Sequence, residues 1–356
     1  MRGVPLSASE SGRQSNLNCC DMKMNQNNEN KISRREFFAR SAKAGLSIAA
    51  VAGAAGLLYE SDVTKMFSAE NVITGLKDFS VAPLAGQTMT VVSGSNRTMT
   101  VNKAIELLGG IDRFVKPGES VLIKPNVGFS RPPRICATSH PDIIAEVVRL
   151  CYEHGKARKV YITDNPIYDA KSCFEISQIA AAAEKNGAEI IMPKSKLFSP
   201  MSLKDGKLIQ KTPFLYDPIS KVDKVIGIAV IKDHARSGAT MTMKNWYGLL
   251  GDGRNYFHTN INTIITELAM LVKPTFVILD ATEIMVSNGP TGGSTSDLKR
   301  TNMMIASCDQ VAADTFGAGL LDLKPNDLPY LLKAHELKIG TTDYQSLKPV
   351  FANMEG

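Results

Sequence analysis

Closely spaced cysteines are missing from this sequence. Its six cysteines, Cys19, Cys20, Cys136, Cys151, Cys173 and Cys308, include no CxxC pair. That excludes a ferredoxin-type iron–sulfur cluster and a zinc knuckle, both of which need thiolates at short spacing. Aromatics make up only 6% of the chain and tryptophan occurs once. No basic stretch is interleaved with aromatics, so nucleic acid is not expected as a partner. The apolar run from Ala44 to Leu58, about 15 residues, falls short of the ~18 of a membrane span. GxGxxG, the Walker lysine loop and short-spaced histidine metal motifs are also absent, so no nucleotide or metal assignment follows from a motif. The formal charge of +6 is modest. Residues 1–68 hold nine Lys/Arg against six Asp/Glu, leaving 32 against 29, or +3, for the remainder.

What is present begins with a leader. Ser33-Arg34-Arg35-Glu36-Phe37-Phe38 precedes a weakly apolar run rich in Ala and Gly from Ala44 to Leu58. The pair of arginines followed by about 15 mildly hydrophobic residues resembles a twin-arginine (Tat) export signal, with the Tat translocon as transient partner and the periplasm as destination. Met24 opens a more typical leader than Met1, and small residues around Ala50-Val51-Ala52 and Ala52-Gly53-Ala54 offer cleavage points.

From Ser120 the chain alternates strand and helix. "SVLIKPNV" is a buried strand closed by Pro125. "SHPDIIAEVVRLCYEHG" carries an apolar face at Ile143, Val147, Leu150 and Cys151, with Ser139 expected as its cap and Gly155 as its stop. Strands "KVYITDN", "EIIMP", "KVIGIAVI", "TFVILDATEI" and "MMIAS" follow, separated by helical segments including "DQVAADTFGAGLL", capped by Asp309. Residues 195–220 read as an irregular excursion or small hairpin. The fold class is therefore α/β: a mostly parallel sheet with flanking helices, as one body or as two lobes around a cleft. The expected organisation is a leader over 1–60, an extension over 61–119, a main domain over 120–340 and a tail over 341–356.

Such sheets place ligand loops at the C-terminal ends of strands. Lys124, Asn126, Asp164 and Asp280 are read at such ends. Lys232 and His234, two apart in a strand, share a face. The stretch from Ala229 to His258 adds Lys244, Asn245, Arg254 and His258, with Trp246 and Tyr247 as apolar anchors and only Asp233 and Asp252 as nearby acids. Lys124, Asn126, Lys244, Asn245 and Arg254 suit a small anionic ligand. His234, Lys232, His140, His258 and Asp164 suit proton transfer. His140, His234, His258 and Asp280 are the only candidates for a divalent metal. Isomerase, hydrolase and cofactor-dependent redox chemistry all fit this set, as does ligand binding without a chemical step; the remaining alternative is a structural protein in which these motifs serve the fold and no ligand binds.

Lys124-Pro125-Asn126, Thr138-Ser139-His140-Pro141, Asp164-Asn165, Lys232-Asp233-His234, Lys244-Asn245 with Gly248, Arg254 and His258, Gly289-Pro290, and Asp309 to Asp314, in this order, resemble the domain of unknown function 362 family. The resemblance runs from about Ser120 to Gly340. It implies an α/β fold and, for many relatives, a ferredoxin module whose cysteines this chain lacks. The core also resembles the lactate racemase superfamily. That implies α/β domains around a cleft walled by Lys, His and Asp, but no residue-by-residue match carries the activity over.

Export follows from Arg34-Arg35. Replacing both with lysine is expected to leave the protein in the cytoplasm on cell fractionation, whereas an unchanged periplasmic yield would contradict the reading.

Overall fold

β-Branched residues dominate the central strands. β3 (Ser120–Lys124), β8 (Lys224–His234) and β10 (Phe276–Met285) are buried along almost their whole length, as strands covered on both faces must be. In the computed structural model, which describes residues 72–354, they form the middle of a nine-stranded sheet. The leader, with Arg34, Arg35 and Met24, lies outside the described residues. The sheet also contains β2 (Met89–Ser93), β4 (Lys159–Ile162), β5 (Glu189–Ile190), β11 (Leu298–Ser307) and β12 (Val350–Asn353), in the order β12-β2-β11-β10-β8-β3-β4-β5. A short β9 (Gly238–Thr240) folds back antiparallel on the end of β8.

Pairing is parallel between β10, β8, β3, β4 and β5, and between β12 and β2. β11 runs antiparallel to both of its neighbours. Successive strand residues serve opposite layers. Leu122, Ala229, Ile231 and Leu279 face one core with the helices Ile261–Leu271 and Gln310–Leu320. Val121, Ile123, Ile226, Ile228 and Ile278 face a second core with the helices Arg97–Leu107 and Pro141–Glu153. The excursion over 195–220 supplies β6 (Ser199–Ser202) and β7 (Thr212–Phe214), which join β1 (Ile73–Thr74) in a separate three-stranded sheet.

Several expectations are corrected. Of the two expected arrangements, one body or two lobes, the main sheet of the described residues is a single continuous one, with the small β1-β6-β7 sheet beside it. Boundaries at 120 and 340 do not divide it, because β2 from the supposed extension and β12 from the supposed tail pair with each other and complete its edge. Val91 and Val92 of β2 also bury into the two cores, so the strand cannot be peripheral. The segment "CFEISQIAAAAEKNGA" over 173–188, whose composition reads as one helix, is two, Ala170–Ile176 and Ile179–Lys185, broken where Gln178 takes a left-handed conformation. β10 continues past Asp280 to Met285, so Asp280 is mid-strand rather than at an exit.

β4, β3 and β8 are adjacent and parallel. β3 and β4 end side by side, whereas β8 runs on from Gly227, the partner of Lys124, to His234, so the loops leaving β3 and β4 and the protruding end of β8 together position the site.

Candidate functional site

A cleft of about 590 Å³ opens at these exits. Lys124, Asn126, Asp164, Lys232, His234, Lys244, Asn245, Arg254 and His258 all line it, together with Tyr247, Gly248, Phe129, Ile167 and Arg236. His140 and Asp280 do not. His140, rather than Ser139, caps the helix Pro141–Glu153, its Nδ1 accepting from the Asp142 amide at 3.3 Å. The Ser139 hydroxyl is used elsewhere: it accepts from the Asn126 amide and donates to the Ile228 carbonyl. Asp280 accepts from Arg97 Nε at 3.0 Å. Among the described residues, no three His, Cys, Asp or Glu side chains converge as a metal site.

The floor is built on two spent residues. Lys124 Nζ meets Asp164 Oδ1 at 2.7 Å, the Pro125 carbonyl at 2.7 Å and Asn245 Oδ1 at 3.0 Å. An ammonium has three donors, and all three are engaged. Burial lowers the Lys124 pKa, and the Asp164 carboxylate opposes that shift. Asp164 Oδ2 accepts from the Val127 amide at 2.7 Å, and Oδ1 also accepts from the Asn165 amide. The Asn245 amide donates to the Lys124 and Ile228 carbonyls, both at 3.1 Å. Lys124 and Asn245, expected as ligand-binding residues, therefore brace β3 against β8 and have little left for a ligand. Gly248 presses against this pair: a Cβ there would stand 1.9 Å from Asp164 Oδ1, so no larger residue fits.

The wall is held from behind. Lys244 lies on the short helix Thr242–Asn245, whose first two amides donate to the buried Asp314 carboxylate at 2.7 and 3.0 Å. Trp246 is fully buried, and its Nε1 donates to Gln310 Oε1 at 2.7 Å. Tyr247 Oη donates to the Arg254 carbonyl at 2.6 Å. Arg254 itself donates to the carbonyls of Asn165 and Pro166.

The unspent donors face the cleft. Lys232 Nζ bonds to Asn126 Oδ1 at 3.0 Å and to the Ala137 carbonyl at 2.6 Å, leaving one valence. Burial, then the charge of Lys244, holds its pKa well below that of a free lysine. Lys244 is half-buried, and burial brings its pKa to about 7. Among the described residues, no carboxylate lies within 4.0 Å of the Lys232, Lys244 or Arg254 cationic groups, because Asp164 is taken by Lys124.

The two histidines are in opposite tautomers, as their hydrogen-bond partners require. His234 Nδ1 accepts from the amides of Arg236 and Ser237, both at 3.2 Å, so its proton is on Nε2. Burial, then Lys244 and Lys232, push its pKa to about 3. His258 Nδ1 faces Tyr247 Oη at 3.1 Å and the Asn255 carbonyl at 3.3 Å. The tyrosine proton is already committed to Arg254, so both neighbours accept. His258 Nδ1 donates, and Nε2 keeps its lone pair. Burial lowers its pKa too. The rings stand 6.5 Å apart, with planes 12° from parallel.

Phe129 and Ile167 were not singled out from sequence, and Asp314 was marked only as the end of a family landmark, with no role. The only signal for the first two was apolar residues directly after strand exits; for Asp314 it was a lone acid within an apolar helix.

Comparison with known proteins follows this geometry. The thylakoid-associated protein sll1697 of Synechocystis is 28% identical over 252 residues, covering 67% of this chain and 74% of that protein. Among solved structures, the lactate racemase apoprotein of Thermoanaerobacterium thermosaccharolyticum matches at 13% identity and a TM-score of 0.37, over 70% of this chain and 61% of its own. A structural-genomics target from Thermotoga maritima matches at 12% identity and a TM-score of 0.34, over 68% and 57%. This chain thus spans under two thirds of either solved protein.

If Lys124 is a brace, Lys124→Met should leave a buried carboxylate unpaired and cost about 3–5 kcal/mol. Lys124→Met combined with Asp164→Asn should recover most of that loss in thermal melts, whereas an unchanged Tm for the single variant would contradict the assignment. The profile of the family described as Domain of unknown function (DUF362) matches residues 121–319, more than half the chain, and the protein belongs to that family.

Proposed function

We propose that the cleft binds an organic anion and moves a proton on it. The observation that carries this reading is the set of cationic and N–H donors in the cleft with no carboxylate left to receive them. Buried charge without a partner is costly, and an anion of the right shape would relieve that cost. Arg254, and Lys244 below about pH 7, supply the charge. As an ammonium, Lys232 keeps one N–H beyond those given to Asn126 and Ala137, and His234 Nε2–H is the neutral donor. His258 Nε2 is the base, and His234 Nε2–H is the donor that stabilises negative charge developing on the substrate. The backing by Asp314, Trp246 and Tyr247 holds these groups in place before the ligand arrives. In this reading the twin-arginine leader delivers the protein to the periplasm.

Thermal-shift titration with carboxylates, phosphate and sulfate provides the test. The wild type should be stabilised by at least one of them. Lys244→Ala should keep its Tm within a few degrees yet weaken that anion roughly tenfold or more, the loss of one charge-assisted hydrogen bond of about 1.5–3 kcal/mol. His258→Gln should still bind but slow exchange of the C–H next to the carboxylate into D₂O by about 10²–10⁴, followed by NMR. If no anion stabilises the wild type, or Lys244→Ala binds as well as wild type, the proposal is wrong.

A further inference from the structure

Depth in the cleft sorts its residues by chemistry. The polar floor is sealed: Lys232 is 0% exposed and His234 is 7%. The mouth is apolar. Ile167 lines the cleft and is 49% exposed, and Tyr168 beside it is 56% exposed. Phe129 lies between floor and mouth. One side of the cleft therefore runs from Lys232 Nζ, 5.2 Å from the Phe129 ring centroid, to Tyr168, which meets Phe129 edge-on at 6.0 Å. Phe129 is fixed from behind by the small buried cluster of Ile135, Ala137 and Met285. Tyr256 follows the cleft residue Asn255 in the chain and is 70% exposed. Single exposed apolar side chains need no explanation, but several around one opening do.

Volume gives an independent argument. A cleft of about 590 Å³ holds roughly twenty waters at ~30 Å³ each. A minimal carboxylate such as acetate would occupy only a small part of it, leaving the Phe129 and Ile167 surfaces wet. Ligand sites of this size ordinarily take larger molecules, lined by apolar groups with a few placed polar ones.

We infer that the ligand is a carboxylate with an aromatic or branched apolar body, its anionic end on the Lys232, His234 and Lys244 floor and its body against Phe129, Ile167 and Tyr168. This rests on the anion reading above and adds the substrate class to it. The geometry orders the two ends, because a reversed ligand would bury its apolar body among unpaired N–H groups.

Calorimetric titration of the full chain with acetate and with 3-phenylpropionate, at equal pH and ionic strength, tests the inference. Both probes carry one carboxylate, so the charge contribution is matched. The phenyl probe should bind at least roughly tenfold tighter, a factor that a methylene or more in an apolar pocket provides. Ile167→Ser and Tyr168→Ser, both exposed and remote from the packed cores, should erase most of that preference and leave acetate affinity unchanged. Equal affinity for the two probes, or a preference that survives both substitutions, would overturn the inference while the anion reading stands. Failure of both probes, together with phosphate and sulfate, would overturn both.

Discussion

The Lys124 ammonium and the Asp164 carboxylate meet at 2.7 Å where the ends of β3 and β4 adjoin the 245–248 turn. Everything around the cleft refers to this contact. Asp164 also fixes the amides of Val127 and Asn165, which sets the course of both loops leaving the sheet. Asn245 closes the arrangement from the β8 side, receiving from Lys124 and donating to the Ile228 carbonyl. A buried ion pair is weak evidence for stability in itself, because desolvation offsets its attraction. Its role here is geometric: it ties the loops leaving β3 and β4 to the Asn245 segment beside β8.

Among the described residues, that arrangement uses up the one carboxylate that lines the cleft. Lys232, Lys244, Arg254 and the His234 Nε2–H then converge on a space without a matching acceptor. The two imidazoles show how second partners decide chemistry. Two backbone amides hold the His234 proton on Nε2, and a tyrosine committed to a carbonyl leaves His258 Nε2 bare. Identical side chains 6.5 Å apart thereby present opposite hydrogen-bonding character to whatever occupies the cleft.

Much of this was legible in the sequence where the signal was local. The apolar run of β8 ending at Lys232-Asp233-His234 announced a buried strand with polar residues at its exit, and period-two geometry placed the lysine and histidine together. Polar residues after β3 and β4 carried the same message. Legibility failed where the deciding partner was distant in sequence. Nothing near Asp280 reveals Arg97, 183 residues away, so a mid-strand ion pair read as a strand end. Histidine is an uncommon cap, and Ser139 beside it looked the better one until its hydroxyl proved to be engaged with β8. Lys124 looked available because two of its three acceptors, Asp164 and Asn245, come from distant segments. The edge strand Val350–Asn353 is short, and only its register against β2 distinguishes it from a tail.

We propose that the cationic donors of the cleft receive an anion. Lys244 makes this directly measurable. Its native pKa of about 7 lies below the ordinary lysine value near 10.4. Between those limits the unfolded chain binds the extra proton, so the ligand-free protein gains stability as pH rises through that window. A bound anion reverses the preference by favouring the ammonium. Titrating the tightest-binding carboxylate at pH 8 in buffers of different ionisation enthalpy therefore measures the proton that Lys244 takes up. The account predicts net proton uptake at pH 8, loss of that uptake in Lys244→Ala, and affinity that falls as pH rises above 7. Binding with no proton uptake and affinity flat between pH 6 and 9 would contradict it.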